Sequence, residues 1–144
     1  QEMTDILFKT EKDIVAVEAL FREVIPKFST FDFQVEDVLL LPTSVSIMAY
    51  SSDVLQKLIF ALDEGLRNIG VPDNKKYLSD SVFWGNITVC RFVRPPREEF
   101  LRAVREMRNM QIGSFSVEKV NLVTCNSVCH PDSRTILGRY ALAK

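Results

Sequence analysis

Asn86 and Thr88 are the residues whose type and spacing first suggest a ligand site. They stand two positions apart in an otherwise apolar stretch, with Ile87 between them and Val89 after them. In a β-strand, residues two apart point to the same face. We therefore expect Asn86 and Thr88 to reach one ligand while Ile87 and Val89 face the core. An amide cannot act as a general acid or base, since that role needs a pKa near the working pH, but it can orient a ligand through hydrogen bonds.

His130 is the only histidine in the chain and is the candidate for proton transfer. The unperturbed pKa of an imidazole, about 6.5, suits acid–base work near neutral pH. It lies in a loop from Asn126 to Arg134 that is rich in turn-forming residues. A loop histidine is more often a solvated or capping residue, so that alternative stays open.

Three arginines can clamp a phosphate group through two parallel N–H donors, although arginines beside strands more often form surface ion pairs. They are Arg91, Arg134 and Arg139. Strict alternation places Arg91 on the opposite strand face from Asn86 and Thr88 unless a β-bulge intervenes. Three aromatic residues can stack on a base or pack in the core. They are Tyr50, Trp84 and Tyr140.

The cysteines offer a further possibility, a zinc site. Cys125, Cys129 and His130 lie on one segment, and Cys90 lies on a neighbouring predicted strand. Cys125 and Cys129 are separated by three residues, and this spacing on a single segment is weak evidence for a tetrahedral zinc site. An odd number of cysteines without secretory features favours free thiols, so we expect no metal.

The periodicity of the chain predicts strands and helices in mixed order. We expect helices over about 13–25, 52–70 and, after Pro95 and Pro96, from about 97 to Gly113, each with an apolar stripe. Alternation of apolar and polar residues predicts the strands. These are 4–9, 31–36, 44–50, 82–93, 115–124 and 135–142. No glycine-rich phosphate loop follows any strand, which excludes the Rossmann and P-loop signatures.

The bulk composition is that of one globular domain. The chain has 144 residues, of which 47% are hydrophobic, enough for a continuous core. Charged residues make up 26%, are interspersed in sign and leave a net charge of −1, which argues against a polyanion-binding face but permits a small phosphate pocket. No apolar run approaches the roughly 20 residues that span a bilayer, and no signal peptide is visible. We expect no membrane association and a cytoplasmic location.

The passage Gly85-Asn86-Ile87-Thr88-Val89-Cys90-Arg91-Phe92 resembles the second signature of the two-histidine (2H) phosphoesterases, which include bacterial RNA ligase-like proteins and cyclic phosphodiesterases. That signature is His-x-Thr-apolar on a strand, often followed by Arg. Here Asn86 stands at the His position, Thr88 at the Thr position and Arg91 at the Arg position. The order of strands and helices extends the resemblance over about residues 31–142. The family's first His-x-Thr strand is expected at or before Gln1.

The resemblance implies an α+β fold, with two lobes of antiparallel sheet around a central cleft and helices outside, in a single domain over residues 1–144. It implies a phosphodiesterase without metal or cofactor, whose ligand is a cyclic or 2′,5′-linked phosphodiester of a nucleotide or RNA end. In that reaction Asn86 orients the phosphate and His130 or an upstream histidine moves the proton. The implied substrate-binding residues are Thr88, Arg91, Arg134 and Tyr140.

The missing histidine leaves several alternatives open. The domain could be a ligand-binding member without activity, a weak enzyme that uses another acid, or an enzyme with changed chemistry. From a different class, it could be a regulatory or protein-interaction module that kept the scaffold and lost the site. No protein partner is indicated.

Overall fold

The computed structural model of the chain describes residues 11–71, 84–126 and 130–144. The predicted strand at 4–9 lies outside them. The chain divides into two compact units. The first unit comprises Gln1–Thr30, Val54–Asp80 and Glu118–Lys144, and the second comprises Phe31–Asp53 and Ser81–Val117. That the chain forms a single domain stays a prediction.

The fold class is α+β, as predicted, and both described sheets are antiparallel. The helices are α1 (Glu11–Val24), α2 (Asp53–Asn68) and α3 (Glu98–Glu106). The strands are β1 (Phe31–Leu41), β2 (Ser44–Ser51), β3 (Trp84–Arg91), β4 (Gln111–Val117), β5 (Lys119–Thr124) and β6 (Thr135–Ala141). Short 3₁₀ turns cover Ile25–Lys27 and Pro131–Ser133. The arrangement of two lobes around a cleft stays a prediction.

The described strands of the second unit form a four-stranded sheet in the order β3-β2-β1-β4, in which β3 and β4 are the outermost described strands. Helix α3 packs on one face of this sheet. Its Val104 forms a buried cluster with Val38 of β1 and Val45 of β2. Partly buried apolar residues pack against that cluster: Leu40, Ile47, Cys90 and Phe92. The same face carries an aromatic group in which Phe33 stacks on Phe115, with ring centroids 5.3 Å apart.

A β-bulge interrupts β1 at Asp37. The pairing with β2 shifts between Glu36 and Val38, and Asp37 adopts a φ of 61°, in the left-handed region that a non-glycine residue enters at some cost. Two hydrogen bonds hold it there. Its N–H donates to the carbonyl of Met110 at 3.1 Å, and its carboxylate accepts from the hydroxyl of Tyr50 at 3.0 Å.

The first unit contains α1, most of α2, and the two-stranded sheet of β5 and β6. The helices approach closely where Leu20 meets Gly65, since a Cβ at Gly65 would lie 2.5 Å from a methyl of Leu20. Phe21 of α1 packs edge-on against Tyr140 of β6, with centroids 5.6 Å apart. Helix α2 ends at Asn68, and Gly70, with a φ of 75°, closes it in a Schellman motif, as predicted.

Two predictions in the last third of the chain are wrong. Helix α3 ends at Glu106, because residues 107–110 form tight turns and residues from Gln111 pair with β1. Gly113 therefore lies within a strand and does not end a helix. The strand predicted over 115–124 is two strands in different sheets: β4 pairs with β1, and β5 pairs with β6. The strand predicted at 31–36 is also longer than expected, since β1 continues to Leu41.

Among the described residues, no helix combines the length and the apolar character needed to cross a bilayer.

Candidate functional site

The pairing of β3 with β2 shows which side chains share a sheet face. Asn86 lies opposite Met48 and Thr88 lies opposite Ser46. Directly paired residues of antiparallel strands point to the same face, and residues two apart do so as well. Asn86 and Thr88 therefore share a face, as predicted. Val45, which packs against α3, belongs to the other face, so we name the face away from α3 the Asn86 face.

A bulge in β3 brings Arg91 onto the Asn86 face. Thr88 pairs with Ser46, but Cys90 pairs with Val45, which leaves Val89 without a partner on β2. The extra residue reverses the alternation beyond it. Arg91 then lies opposite Ser44, on the same face as Thr88. The structure thus satisfies the condition under which Arg91 can act with Asn86 and Thr88.

The expectation that Ile87 and Val89 face the core is wrong. Their side chains are 54% and 57% exposed. The physical reason is that β3 is the outermost described strand on its side of the sheet. The α3 cluster, formed by Val38, Val45 and Val104, covers β3 only beyond the bulge, near Cys90 and Phe92. The sequence pattern alone gives no signal that separates an edge strand from a central one.

Two serines of β2 complete the row opposite β3, and sequence reasoning missed both. Ser44 is 6% exposed, and Ser46 is fully buried, with a hydroxyl that has no hydrogen-bond partner among the described residues. A buried hydroxyl without a partner costs on the order of 1–3 kcal/mol. The signal was available, because Ser44 and Ser46 alternate with Val45 and Ile47 in the sequence.

Carboxylates occupy the opposite side of the Asn86 face, toward β4. Glu36 accepts a hydrogen bond from Gln111, and Asp32 accepts one from Ser116. Burial raises the pKa of Tyr50, and the hydrogen bond to Asp37 and the charges of Asp37 and Glu36 raise this pKa further. Tyr50 therefore keeps its proton and serves as a hydrogen-bond donor, not as a base.

In the first unit, His130 caps the 3₁₀ turn Pro131–Ser133. Its Nδ1 accepts a hydrogen bond from the N–H of Asp132 at 3.3 Å, and the Asp132 carboxylate lies 3.7 Å away. The His130 N–H donates to the Asn126 side chain at 3.0 Å. An acceptor Nδ1 places the proton of the neutral ring on Nε2, which can then donate. The structure thus supports the capping alternative, while a catalytic role for His130 stays a prediction.

Tyr140 lies beside a cavity in the first unit. The cavity has a volume of about 460 Å³, and charged residues at its wall are Glu18, Arg22 and Arg139. Tyr140 is 8% exposed, and its ring packs on Phe21 and over Gly138. Burial raises the pKa of Tyr140, as does the charge of Glu18, while Arg22 lowers it. Its packing shows the core use of this aromatic residue, and its role in substrate binding stays a prediction.

No protein-family model matches the chain, and no curated protein matches it either.

The predicted site residues therefore fall into two groups. Asn86, Thr88 and Arg91 lie on one face of the second unit. His130, Arg134 and Tyr140 belong to the first unit, where His130 and Arg134 flank the 3₁₀ turn. Within the described residues, no three side chains of the metal-binding types form a cluster. Cys90 is a free thiol, and Cys129 lies outside the described residues.

On β3, the Asn86 face offers three side chains whose chemistry suits an anion. Thr88 offers a hydroxyl, Asn86 an amide donor and Arg91 a planar guanidinium that can bind two oxygens of one phosphate. All three side chains are exposed, so a ligand can reach them. An amide, a hydroxyl and a guanidinium are hydrogen-bonding groups and not general acids or bases, so the trio can hold a phosphodiester but cannot by itself supply acid–base catalysis.

Proposed function

We propose that the chain is a 2H phosphoesterase-like domain that binds, and with a separate proton donor hydrolyses, cyclic or 2′,5′-linked phosphodiesters of nucleotides or RNA ends. The observation that carries the proposal is the bulge at Val89, which puts Arg91 on the same face as Asn86 and Thr88. A strictly regular strand would point this arginine toward the α3 side.

The chemistry of the three groups supports phosphate binding. In the proposed complex, Arg91 pairs with the non-bridging oxygens, Thr88 donates its hydroxyl, and Asn86 donates an N–H where the family carries an imidazole. Charge-assisted hydrogen bonds from a guanidinium are roughly twice as strong as neutral ones. A proton donor outside this trio, for which His130 is one candidate, completes the proposal.

The test is binding and hydrolysis of 2′,3′-cyclic nucleotides by the full chain and by Thr88→Ala, Arg91→Gln and Asn86→His variants. We expect Thr88→Ala to weaken binding about fivefold and Arg91→Gln more than tenfold, because neutral and charged hydrogen bonds contribute about 1 and 1.5–3 kcal/mol. Asn86→His is expected to raise turnover by 10²–10⁴-fold, the usual contribution of a general acid or base.

Ser114→Ala is the matched control. Ser114 pairs with Gln34 and lies on the same sheet face, but on β4, three strand spacings or about 14 Å from β3. It removes one exposed hydroxyl without touching the proposed site. If Ser114→Ala and Thr88→Ala weaken binding equally, or if no variant binds differently from the native chain, the proposed site is wrong.

A second candidate function, a protein-interaction module, is favoured by the exposed apolar side chains of the edge strand β3. Ile87 and Val89 are about half exposed on a strand whose edge can pair with an added strand. An Ile87→Lys substitution separates the candidates. It should abolish recruitment of an extended peptide to this edge, but it should leave nucleotide binding unchanged, because Ile87 lies on the face opposite Asn86.

A further inference from the structure

The second unit carries a cavity between the end of β3 and the start of α3, of which the proposed site uses Arg91 alone. Its volume is about 460 Å³, and its wall includes three arginines, Arg91, Arg94 and Arg97, and two phenylalanines, Phe92 and Phe100. Arg91 is common to this cavity and to the Asn86 face, so the two are continuous. We name the cavity the arginine pocket.

The arginine pocket has an excess of positive charge. Glu99 is the acidic residue in its wall. The neighbouring Glu98 is bound by Arg105, with Nη1 and Oε1 3.0 Å apart, and does not neutralise the pocket. Among the described residues, no carboxylate forms an ion pair with Arg91, Arg94 or Arg97. All three are exposed and available to an anion.

The backbone of the pocket is held in place at both ends. Phe92 donates its N–H to the Thr43 carbonyl at 2.8 Å, and its ring meets Phe100 of α3 edge-on at 6.0 Å. Between these contacts, Pro95 and Pro96 restrict the backbone, because the ring of proline fixes φ. A rigid loop loses less conformational entropy when an anion binds, so the entropic cost of binding is smaller.

We propose that the arginine pocket binds a backbone phosphate of a single nucleic-acid strand, so that the ligand of the Asn86 face is an oligonucleotide end and not a mononucleotide. This inference rests on the proposed function of that face. Thr88 lies opposite Ser46 and Arg91 opposite Ser44, so the bulge leaves them about 7 Å apart along the strand, near enough to share one phosphate. Arg94 and Arg97 lie three and six residues beyond Arg91, so the phosphate that they bind is a different one from the phosphate held by Thr88. Phe92 and Phe100 add apolar surface for a sugar or base, which free phosphate would not need.

The experiment compares two probes on the full chain: a 2′,3′-cyclic mononucleotide and a tetranucleotide RNA with the same cyclic end. Dissociation constants are measured for the native chain, for Arg94→Gln/Arg97→Gln and for the control Arg102→Gln/Arg108→Gln. The control removes the same charge from exposed arginines outside the pocket wall. We expect the pocket variant to weaken tetranucleotide binding at least tenfold and to leave mononucleotide binding within twofold. The logarithmic slope of binding against salt concentration should fall by about 0.7 for each phosphate that is no longer neutralised.

The outcomes separate this inference from the proposed function. The arginine pocket is overturned if the pocket and control variants weaken tetranucleotide binding equally, or if neither variant affects it. This holds even if Thr88→Ala still weakens the binding of both probes. Displacement of the tetranucleotide by inorganic phosphate at equal concentration also overturns it, because the pocket would then select a free anion. Selective loss in the pocket variant supports the arginine pocket as a phosphate site. If Thr88→Ala then has no effect, the proposed function of the Asn86 face falls, and with it the statement that the two sites bind one ligand.

Discussion

Removal of the Tyr50 hydroxyl tests how the bulge of β1 is held. Tyr50→Phe deletes the donor that lies 3.0 Å from the Asp37 carboxylate and leaves the ring in place. Hydrogen bonds to charged groups contribute about 1.5–3 kcal/mol, and a partly solvated acceptor recovers some of this from water. Both side chains are half-buried, so we expect a loss near the lower limit, about 1.5 kcal/mol in the free energy of unfolding.

Urea unfolding of four variants measures this loss. Asp37→Asn keeps an acceptor and tolerates positive φ, so it should cost less than Tyr50→Phe. Asp37→Gly loses the acceptor but relieves roughly 1–2 kcal/mol of left-handed backbone cost, so its net effect should be small. Tyr140→Phe is the control, because its hydroxyl donates to no described residue. If Tyr50→Phe and Tyr140→Phe cost the same, the hydrogen bond does not stabilise the bulge.

The same variant has an expected pH dependence. The pKa of Tyr50 is raised above its ordinary value of 10.0, first by burial and then by Asp37. The folded chain therefore holds this proton more tightly than the unfolded chain. Stability from this source is fully present below pH 10.0 and is lost as the pH rises through the raised pKa. The stability gap between the native chain and Tyr50→Phe should shrink in that range, and a gap that widens would contradict the assignment.

Three further substitutions test the packing of each unit, with thermal or urea unfolding as the measurement. Gly138→Ala should cost about 1–3 kcal/mol, because its Cβ would lie 2.6 Å from the Tyr140 ring and push it into the cavity. Gly70→Ala should cost about 1 kcal/mol from backbone conformation alone, since nothing lies within 4 Å, and Gly70→Asn should cost less. Val104→Ala should cost about 2 kcal/mol by opening the α3 cluster, whereas Val93→Ala, at a fully exposed position, should cost almost nothing.

The elements that local periodicity determines were predictable from the sequence. Helices α1 and α2 follow an apolar stripe, and the end of α2 follows from Gly70, because these signals act between residues a few positions apart. Strand β2 was predictable for the same reason. The division of residues 111–124 was not, since both parts have strand character and only the choice of partner separates them. Leu142 donates to the carbonyl of Glu118, which marks the point where the partner changes from β1 to β6.

The candidate site also has one part that was predictable from the sequence and one part that was not. The shared face of Asn86 and Thr88 follows from a period of two, which is a local property of any strand. The face of Arg91 depends on Val89 being left without a partner on β2, and nothing in Val89 itself predicts that. The burial of Ser46 likewise depends on what covers β2, and not on the serine.

The bulge also explains how an edge strand can carry both an exposed apolar pair and a polar trio. Before Val89, alternation assigns Ile87 to the α3 side and Thr88 to the Asn86 face; after it, Cys90 returns to the α3 side and packs in the cluster. One extra residue thus lets Cys90 stay in the core while Arg91 joins Thr88. Without the bulge, strict alternation from Thr88 would put Cys90 on the Asn86 face and Arg91 among the apolar side chains under α3. Cys90 would then lose its place in the core, and Arg91 could not lie beside Thr88.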